Sequence, residues 1–267
     1  MTSINQKSLD LHRAHRGKIA IATTVPLATR EDLSLAYTPG VAAVCEAIAE
    51  DPEQIRNLSV TGNAVAVVTD GSAVLGLGDI GPRAAMPVME GKCALFKALG
   101  GIDAWPICLD AHEPDDIVAA IRAIAPGFSG INIEDISAPR CFEIEDRLQD
   151  LGIPVMHDDQ HGTAIILLAG LINAVKVTGK DFTQLRVVIS GAGAAGRAIC
   201  RFLRGIGQGD QAQSVAEVIV CDSRGALYAG RPELGPVKEA ILQYSNPQNR
   251  KGNLQDMLTD ADVFIGV

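Results

Sequence analysis

The sequence lacks the features that would assign it to a membrane or secreted protein. No apolar run approaches the roughly 20 residues that a membrane-spanning helix requires. The N-terminal segment, MTSINQKSLDLHRAHRGK, is polar where a signal peptide carries an apolar stretch. The six cysteines form no C-x-x-C pair and lie in apolar stretches, which indicates buried free thiols and neither a zinc knuckle nor a disulfide framework. These absences predict a cytoplasmic protein without a membrane partner.

Basic and aromatic clusters are also scarce. The chain has 23 Lys and Arg against 32 Asp and Glu, a net charge of -9, and an aromatic content of 4%. The lack of a cationic stripe argues against a nucleic-acid partner, although a small anionic substrate could still meet local cations. With 267 residues and 47% hydrophobic content, the chain is long enough to bury one large or two ordinary domains.

Strand and helix patterns alternate through the first half. The segments AVAVVTDG, DAWPICLD, GINIED and IPVMHDD have the composition of buried strands. We expect helices that begin at Pro39, with Thr38 as N-cap, and at Pro87, and further helices from about 114 to 125 and from about 139 to 151. This alternation predicts an N-terminal α/β domain with a parallel sheet.

The second half has the pattern of a nucleotide-binding domain. From Gly162, TAIILLAGLINAVKVTGK predicts a long apolar helix, and RVVISGAGAAGRAICRFLRG predicts a strand, a glycine turn and a helix before the strand AEVIVCD. We therefore place the boundary near residue 160, with domains at 1–160 and 161–267. The chain ends at DVFIGV, which has the pattern of a strand, so the second, Rossmann-type domain is expected to be incomplete at its C-terminus.

Two carboxylate pairs end two of the predicted strands. Glu134-Asp135 follows GINI, and Asp158-Asp159 follows IPVMH. If these strands are parallel neighbours, their carboxyl ends lie about 5 Å apart at the edge where open α/β sheets bind ligands. Four crowded carboxylates repel each other unless a cation neutralises them, and oxygen-only ligands favour Mg²⁺ or Mn²⁺. The alternative is that these acids are solvated loop residues and helix caps.

A pair of histidines offers a different metal site. His157 and His161 have the i, i+4 spacing of the H-E-x-x-H motif of zinc proteases. Asp158 replaces the motif's glutamate, and no obvious third ligand follows. A zinc hydrolase is therefore kept as an alternative that predicts bound zinc and no need for a nucleotide.

The segment SGAGAAG has the spacing of a dinucleotide-binding turn. Gly191, Gly193 and Gly196, with Ala194 and Ala195 between them, stand directly after a strand and before an apolar helix. Such a turn admits a pyrophosphate at the helix N-terminus. Asp222, at the end of the next strand, is placed to accept a hydrogen bond from a ribose 2′-hydroxyl, which favours NAD. Arg224 could instead attract the 2′-phosphate of NADP, and on balance the sequence leans towards NAD.

With these pieces in place, the sequence resembles the bacterial malic enzymes. The resemblance runs from about residue 9 to the end through AYTPGVA, GLGDIG, MPVMEGK, INIEDIS and HDDQHGTA. It implies Lys92 as the general base at the malate hydroxyl and Tyr37 as the acid that protonates the enol. It further implies Glu134, Asp135 and Asp159 as metal ligands, Asp158 as the carboxylate that pairs with the lysine, and Thr163 as a cofactor contact.

The resemblance implies oxidative decarboxylation of malate to pyruvate and CO₂ by a homodimer, with NAD or NADP and Mg²⁺ or Mn²⁺. A lysine near a helix start and a metal suits the role of a base near neutrality. One departure is that Ser72-Ala73-Val74 stands where many members have a substrate-binding arginine, so Arg83 or a cation from a partner subunit is expected there. The alternative function is a catalytically impaired fragment that only binds dinucleotide or forms an assembly.

Overall fold

The chain forms two compact units, Met1–Met156 and His157–Val267. The computed structural model describes residues 3–74, 76–206 and 212–267. Each unit contains its own sheet, and both sheets are built mainly from parallel strands. The structure confirms the predicted fold class, an α/β unit followed by a Rossmann-type unit.

The first unit opens with helices that contain no buried residue. These are α1 (Ile4–His15), α2 (Arg30–Ala36), α3 (Val41–Glu50) and α4 (Ile55–Leu58). The prediction that Thr38 caps a helix beginning at Pro39 is wrong. The N–H of Gly40 donates to the carbonyl of Ser34 at 2.9 Å, where a Cβ at position 40 would come within 2.6 Å of that oxygen. The chain thus folds back tightly onto α2, whose C-cap is Tyr37, before α3 begins.

The first sheet has the strand order β2-β1-β3-β4. Its strands are β1 (Ala64–Thr69), β2 (Asp103–Cys108), β3 (Gly130–Ile133) and β4 (Val155–His157). β1 pairs in parallel with both β2 and β3, so that Val68 lies between Ile107 and Ile133. The helices α5 (Gly81–Gly100), α6 (Pro114–Ile124) and α7 (Arg140–Asp146) connect the strands. The strands therefore end at one shared edge.

Helix α5 begins six residues earlier than its sequence predicts. Pro82 occupies the first turn, where a missing N–H is tolerated, and Pro87 lies inside the helix. The helix continues through Pro87 because Ala85, Met89 and Cys93, spaced four residues apart, are all buried, and the last two pack against Val67 of β1. Tertiary packing thus outweighs the roughly 3 kcal/mol that an interior proline costs. As a consequence Lys92 lies in the middle of a helix and not near its start.

The second unit begins with the long helix α8 (Asp158–Thr178). Its sheet has the order β7-β6-β5-β8, formed by β5 (Arg186–Ser190), β6 (Glu217–Asp222), β7 (Gly225–Ala226) and β8 (Val263–Gly266). β5 pairs in parallel with β6 on one side and β8 on the other, whereas β7 is antiparallel to β6. The helices α9 (Ala194–Leu203), α10 (Pro236–Ile241) and α11 (Leu254–Leu258) complete the unit.

Apolar side chains cover both faces of the second sheet. Val187 and Ile189 of β5 belong to one core cluster, with residues of α8 and α9. Val188, between them, belongs to a second cluster with Met257 of α11. Successive side chains of a strand point to opposite faces, so this alternation places a helix layer on each side of the sheet.

Helix α8 starts at Asp158, four residues before the sequence predicts, because the two acids fit its first turn. Negative side chains stabilise a helix N-terminus through the exposed N–H groups there. By length and composition alone, α8 is long and apolar enough to cross a membrane, although no such segment was predicted from the sequence. Only 11% of its apolar window is buried in the structure, and one such helix is weak evidence for a membrane span. Ala164 and Leu171 of α8 lie in the core of the second unit.

The prediction of buried thiols holds for most of the cysteines. Burial raises the pKa of Cys93 and of Cys200 to about 12. The prediction is wrong for Cys45, which is exposed on α3, and Cys108 is partly exposed. The buried thiols lie in apolar stretches and therefore act as small core residues. They are Cys93, Cys141, Cys200 and Cys221.

Candidate active site

Two adjacent acids lie buried at the carboxyl edge of the first sheet. Glu134 and Asp135 follow β3 directly, and each is 4% exposed. Asp135 has a φ of 52°, in the left-handed region that non-glycine residues rarely adopt and that is concentrated at functional sites. Its carbonyl accepts a hydrogen bond from the N–H of Ala73 at 2.9 Å. The loop after β1 thus holds the backbone of the loop after β3.

Lys92 of α5 lies against the first of these acids. Its Nζ is 3.1 Å from Oε1 of Glu134, and the lysine side chain is 26% exposed. Oε2 of Glu134 accepts a hydrogen bond from Nδ2 of Asn132 at 2.8 Å. A buried carboxylate is stable only when it is paired and hydrogen-bonded. The structure therefore brings together two sequence-predicted residues, the proposed base Lys92 and the proposed ligand Glu134.

A second buried ion pair at this edge was not predicted from the sequence. Asp70, just after β1, is fully buried, and its Oδ2 lies 2.7 Å from Nη2 of Arg140. Its Oδ1 accepts from the hydroxyl of Ser72 at 2.6 Å, and that hydroxyl accepts from the N–H of Ser137 at 2.9 Å. The sequence signal that could have indicated this pair is Asp70-Gly71, an acid followed by glycine at the end of a predicted strand. This network joins the loops after β1 and β3.

Ser72 of this network belongs to Ser72-Ala73-Val74, the segment in which the resemblance described above implies that a substrate-binding arginine is missing. Ser72, Ala73 and Val74 have uncharged side chains, so none of them supplies a cation to a substrate, and Ser72 and Val74 are also buried. The guanidinium of Arg140 is already bonded to Asp70. Arg83 is exposed in the first turn of α5. Its role in substrate binding stays a prediction.

In the second unit, the first turn of α8 holds the other acid pair. Oδ2 of Asp159 lies 3.5 Å from Nε2 of the fully buried His157. A Cβ at Gly162 would come within 2.3 Å of Oδ1 of Asp158, so the glycine makes room for that carboxylate. The ring of His161 packs towards Phe202, with centroids 6.3 Å apart. Among the described residues, neither His157 nor His161 belongs to a cluster of three potential metal ligands.

Two predicted site residues are exposed to solvent. Tyr37, at the C-terminal end of α2, is 72% exposed. Thr163 is exposed in the second turn of α8. Their roles as proton donor and cofactor contact stay predictions.

The glycine turn joins β5 to α9. A Cβ on Gly191 would lie 2.3 Å from the carbonyl oxygen of Val267, and one on Gly196 would lie 1.9 Å from that of Gly191, so neither position admits a side chain. A Cβ on Gly193, the N-cap of α9, would meet nothing within 4 Å. The open space above Gly193 and the amides of Ala194 and Ala195 in the first turn fit a phosphate group.

A cleft of about 580 Å³ lies at the carboxyl ends of β5, β6 and β8. β6, the next strand in the chain, pairs with one edge of β5, and β8 pairs with the other edge. The cleft therefore lies where the strand order reverses, which is the position at which parallel α/β sheets bind nucleotides. Asp222 lines the cleft. Burial would raise the pKa of Asp222, but hydrogen bonds from Lys238 and Arg231 outweigh it and lower this pKa to about 2.

Comparison with known proteins decides the family. Residues 16–149 match the malic enzyme N-terminal domain, and residues 160–267 match the malic enzyme NAD binding domain. The chain belongs to the malic enzyme family. Each of the two matches falls on one of the two α/β sheets.

The relatives extend beyond this chain. It is 49% identical to the bifunctional malic/malolactic enzyme of Bacillus subtilis, covering 99% of this chain and 63% of that enzyme. It is 54% identical to the NAD-dependent malic enzyme of Geobacillus stearothermophilus, covering 94% and 51%. The crystal structure of a Thermotoga maritima NAD-dependent malic enzyme matches with a TM-score of 0.91 and 47% identity, covering 97% and 68%. The chain thus spans between 51% and 68% of the length of these malic enzymes.

The Asp70–Arg140 ion pair should be important for stability. We expect Asp70→Asn to lower the free energy of unfolding by about 2–3 kcal/mol, because it leaves a largely buried guanidinium without its counter-charge. Asp150→Asn is the matched control, since Asp150 pairs with Arg122 at 2.6 Å but is 71% exposed. Its effect should stay below about 1 kcal/mol. Urea unfolding of both variants checks this, and equal effects would contradict it.

The low pKa of Asp222 predicts a pH-dependent contribution to stability. A carboxyl group whose pKa falls from 3.8 to about 2 on folding stabilises the native state by about 2 kcal/mol above pH 4. This contribution is lost as the pH falls towards 2. Asp222→Asn should therefore destabilise the protein at neutral pH and lose that effect in acid, as measured by urea unfolding across this range. If the difference in free energy of unfolding between Asp222→Asn and the wild type were the same at all pH values, the low pKa of Asp222 would be contradicted.

Proposed function

We propose that this chain binds malate, a divalent metal and a dinucleotide, and carries the groups for oxidative decarboxylation of malate. In this reaction malate and NAD⁺ or NADP⁺ give pyruvate, CO₂ and the reduced dinucleotide. The observation that carries the proposal is the contact of 3.1 Å between Lys92 and Glu134, beside Asp135, at the carboxyl edge of a parallel sheet. Membership in the malic enzyme family supports the reaction class.

The protein's own side chains have distinct parts in this proposal. Lys92, which must first lose the proton that it holds beside Glu134, accepts the proton of the malate hydroxyl while the hydride leaves the same carbon for the nicotinamide. After CO₂ departs, Tyr37 donates a proton to the former methylene carbon, and pyruvate results. Asp158 pairs with Lys92 and orients it. The glycine turn and Thr163 hold the dinucleotide.

We propose Glu134, Asp135 and Asp159 as the ligands of the metal. The first two are adjacent, buried acids, and Asp159 is the second residue of α8, which follows β4, the neighbour of β3 in the sheet. A set of carboxylate oxygens suits Mg²⁺ or Mn²⁺. When bound, such an ion acts as a Lewis acid that polarises a carbonyl oxygen.

The proposal extends to a homodimer in the cytoplasm, with a small-molecule substrate and neither a nucleic-acid nor a membrane partner. Two observations support a partner subunit. The proposed acid Tyr37 is 72% exposed, and none of the residues of α1, α2 or α3 is buried. A proton donor in solvent cannot act selectively, so a second chain is expected to cover it.

The role of Lys92 can be tested against a lysine of the same helix. We expect Lys92→Met to lower kcat for malate oxidation at least about 100-fold, since general-base catalysis contributes that much. Lys97→Met should change kcat less than about twofold, because the ammonium of Lys97 forms an exposed ion pair with Asp103. The measurement is initial formation of NADH or NADPH with malate and Mn²⁺. A folded wild-type chain without turnover would instead support the alternative function, a fragment that binds dinucleotide or assembles without catalysis.

The two acids of α8 should differ in their effect on metal binding. We expect Asp158→Asn to raise the Kd for Mn²⁺ by about tenfold and Asp159→Asn by more than about 100-fold, since loss of an outer-shell neighbour costs about 10–100-fold and loss of a ligand costs more. Calorimetric titration of both variants with Mn²⁺ gives the comparison. An equal increase in the Kd for Mn²⁺ in the two variants would refute this division of roles. Zinc in the isolated protein, retained without nucleotide, would instead favour the hydrolase alternative on His157 and His161.

A further inference from the structure

The carboxylate of Asp222 has no free acceptor site. Its Oδ1 accepts hydrogen bonds from Nη2 of Arg231 at 2.7 Å and from the N–H of Arg224 at 2.9 Å. Its Oδ2 accepts from the same Nη2 at 2.8 Å and from Nζ of Lys238 at 2.6 Å. A carboxylate offers about four lone-pair sites. All four are occupied, so Asp222 cannot also accept a bond from a ribose hydroxyl in this arrangement.

The arrangement is anchored from two sides. The side chain of Arg231 is 8% exposed and also donates from Nη1 to the carbonyls of Gly225 and Ala226, at 3.2 and 2.9 Å. Lys238 approaches from α10. A buried arginine with five donors that is bonded to three groups does not readily release its carboxylate.

Charge at this end of the cleft is positive on balance. Arg224 lines the cleft, is 65% exposed and contacts Glu233 at 2.5 Å. The local group thus has three cations, Arg224, Arg231 and Lys238, against two carboxylates, Asp222 and Glu233. An anion that enters here meets a neutralised aspartate and the guanidinium of Arg224, whose ion pair with Glu233 is exposed on both sides and therefore weak. A phosphate, which a guanidinium binds well, can exchange with the carboxylate of Glu233.

We propose that this end of the cleft takes the 2′-phosphate of NADP⁺ and that the chain prefers NADP⁺ to NAD⁺. Arg224 is the phosphate-binding residue, and Arg231 and Lys238 determine specificity by keeping Asp222 from repelling the phosphate. The inference rests on the proposed dinucleotide-dependent function. It reverses the preference for NAD that the sequence position of Asp222 indicates when its ion pairs with Arg231 and Lys238 are not considered.

The test is calorimetric binding of NADP⁺ and NAD⁺ to the intact folded chain, with 2′-phospho-ADP-ribose and ADP-ribose as probes that lack the nicotinamide. We expect a Kd for each phosphorylated ligand at least about threefold below that of its counterpart, and a difference that narrows as ionic strength rises. Arg224→Gln should raise the Kd for NADP⁺ about tenfold, the order expected for a lost charge-assisted hydrogen bond, and leave NAD⁺ within about twofold.

Two further variants separate the specificity effect from general charge. Lys238→Gln should raise the Kd for NADP⁺ and lower the Kd for NAD⁺, because it frees an acceptor on Asp222 and leaves the carboxylate less neutralised. Lys176→Gln, on the exposed side of α8, makes the same charge change outside the cleft and should alter neither Kd by more than about twofold. Equal or tighter binding of NAD⁺ to the wild-type chain, or equal losses for both dinucleotides in Arg224→Gln, would overturn the inference. Binding of neither dinucleotide would overturn the proposed function itself.

Discussion

The candidate sites of both units depend on one constraint, the neutralisation of carboxylates that are buried at the ends of parallel strands. Asp70 follows β1, Glu134 follows β3 and Asp222 ends β6, and all three have little or no solvent contact. Removing a carboxylate from water is favourable only if cations and hydrogen-bond donors replace the water. Arginine and lysine side chains meet this requirement in each case, and they thereby set the positions of the surrounding loops.

The parallel sheets explain why the acids gather at these edges. Apolar side chains cover both faces of the second sheet, so neither face has room for a charged group. The strand ends are the places where polar chemistry is compatible with the fold. The glycine turn after β5 follows the same logic, because Gly191 and Gly196 let the backbone close tightly where α9 begins.

The ion pairs connect stability with function. Arg140 holds Asp70, and the attached network reaches Ser137 and the backbone of Asp135. The site that is proposed to bind metal is thus preorganised by residues that do not touch the metal. In the second unit, Arg231 and Lys238 hold Asp222 and so set the charge that a cofactor meets.

The strands and the glycine turn follow from the sequence because their signals are local. β-branched runs predict β1 and β5, and glycine spacing predicts the turn after β5. Helix starts are less well predicted. Pro87 has the pattern of a first helical residue, but α5 begins at Gly81 because Ala85, Met89 and Cys93 pack on the sheet.

By itself, the sequence determined the family, the two α/β units and the set of candidate residues, since motifs and periodicity are properties of short segments. Only the tertiary structure decided which charges meet. Lys92 and Glu134 are far apart in the chain, as are Asp70 and Arg140, and nothing in a local pattern predicts such pairs. The same holds for Asp222, whose sequence context suggests a ribose acceptor, while its folded environment leaves it neutralised. Long-range electrostatic partners depend on the complete fold, because only the fold brings distant segments within a few ångströms of each other.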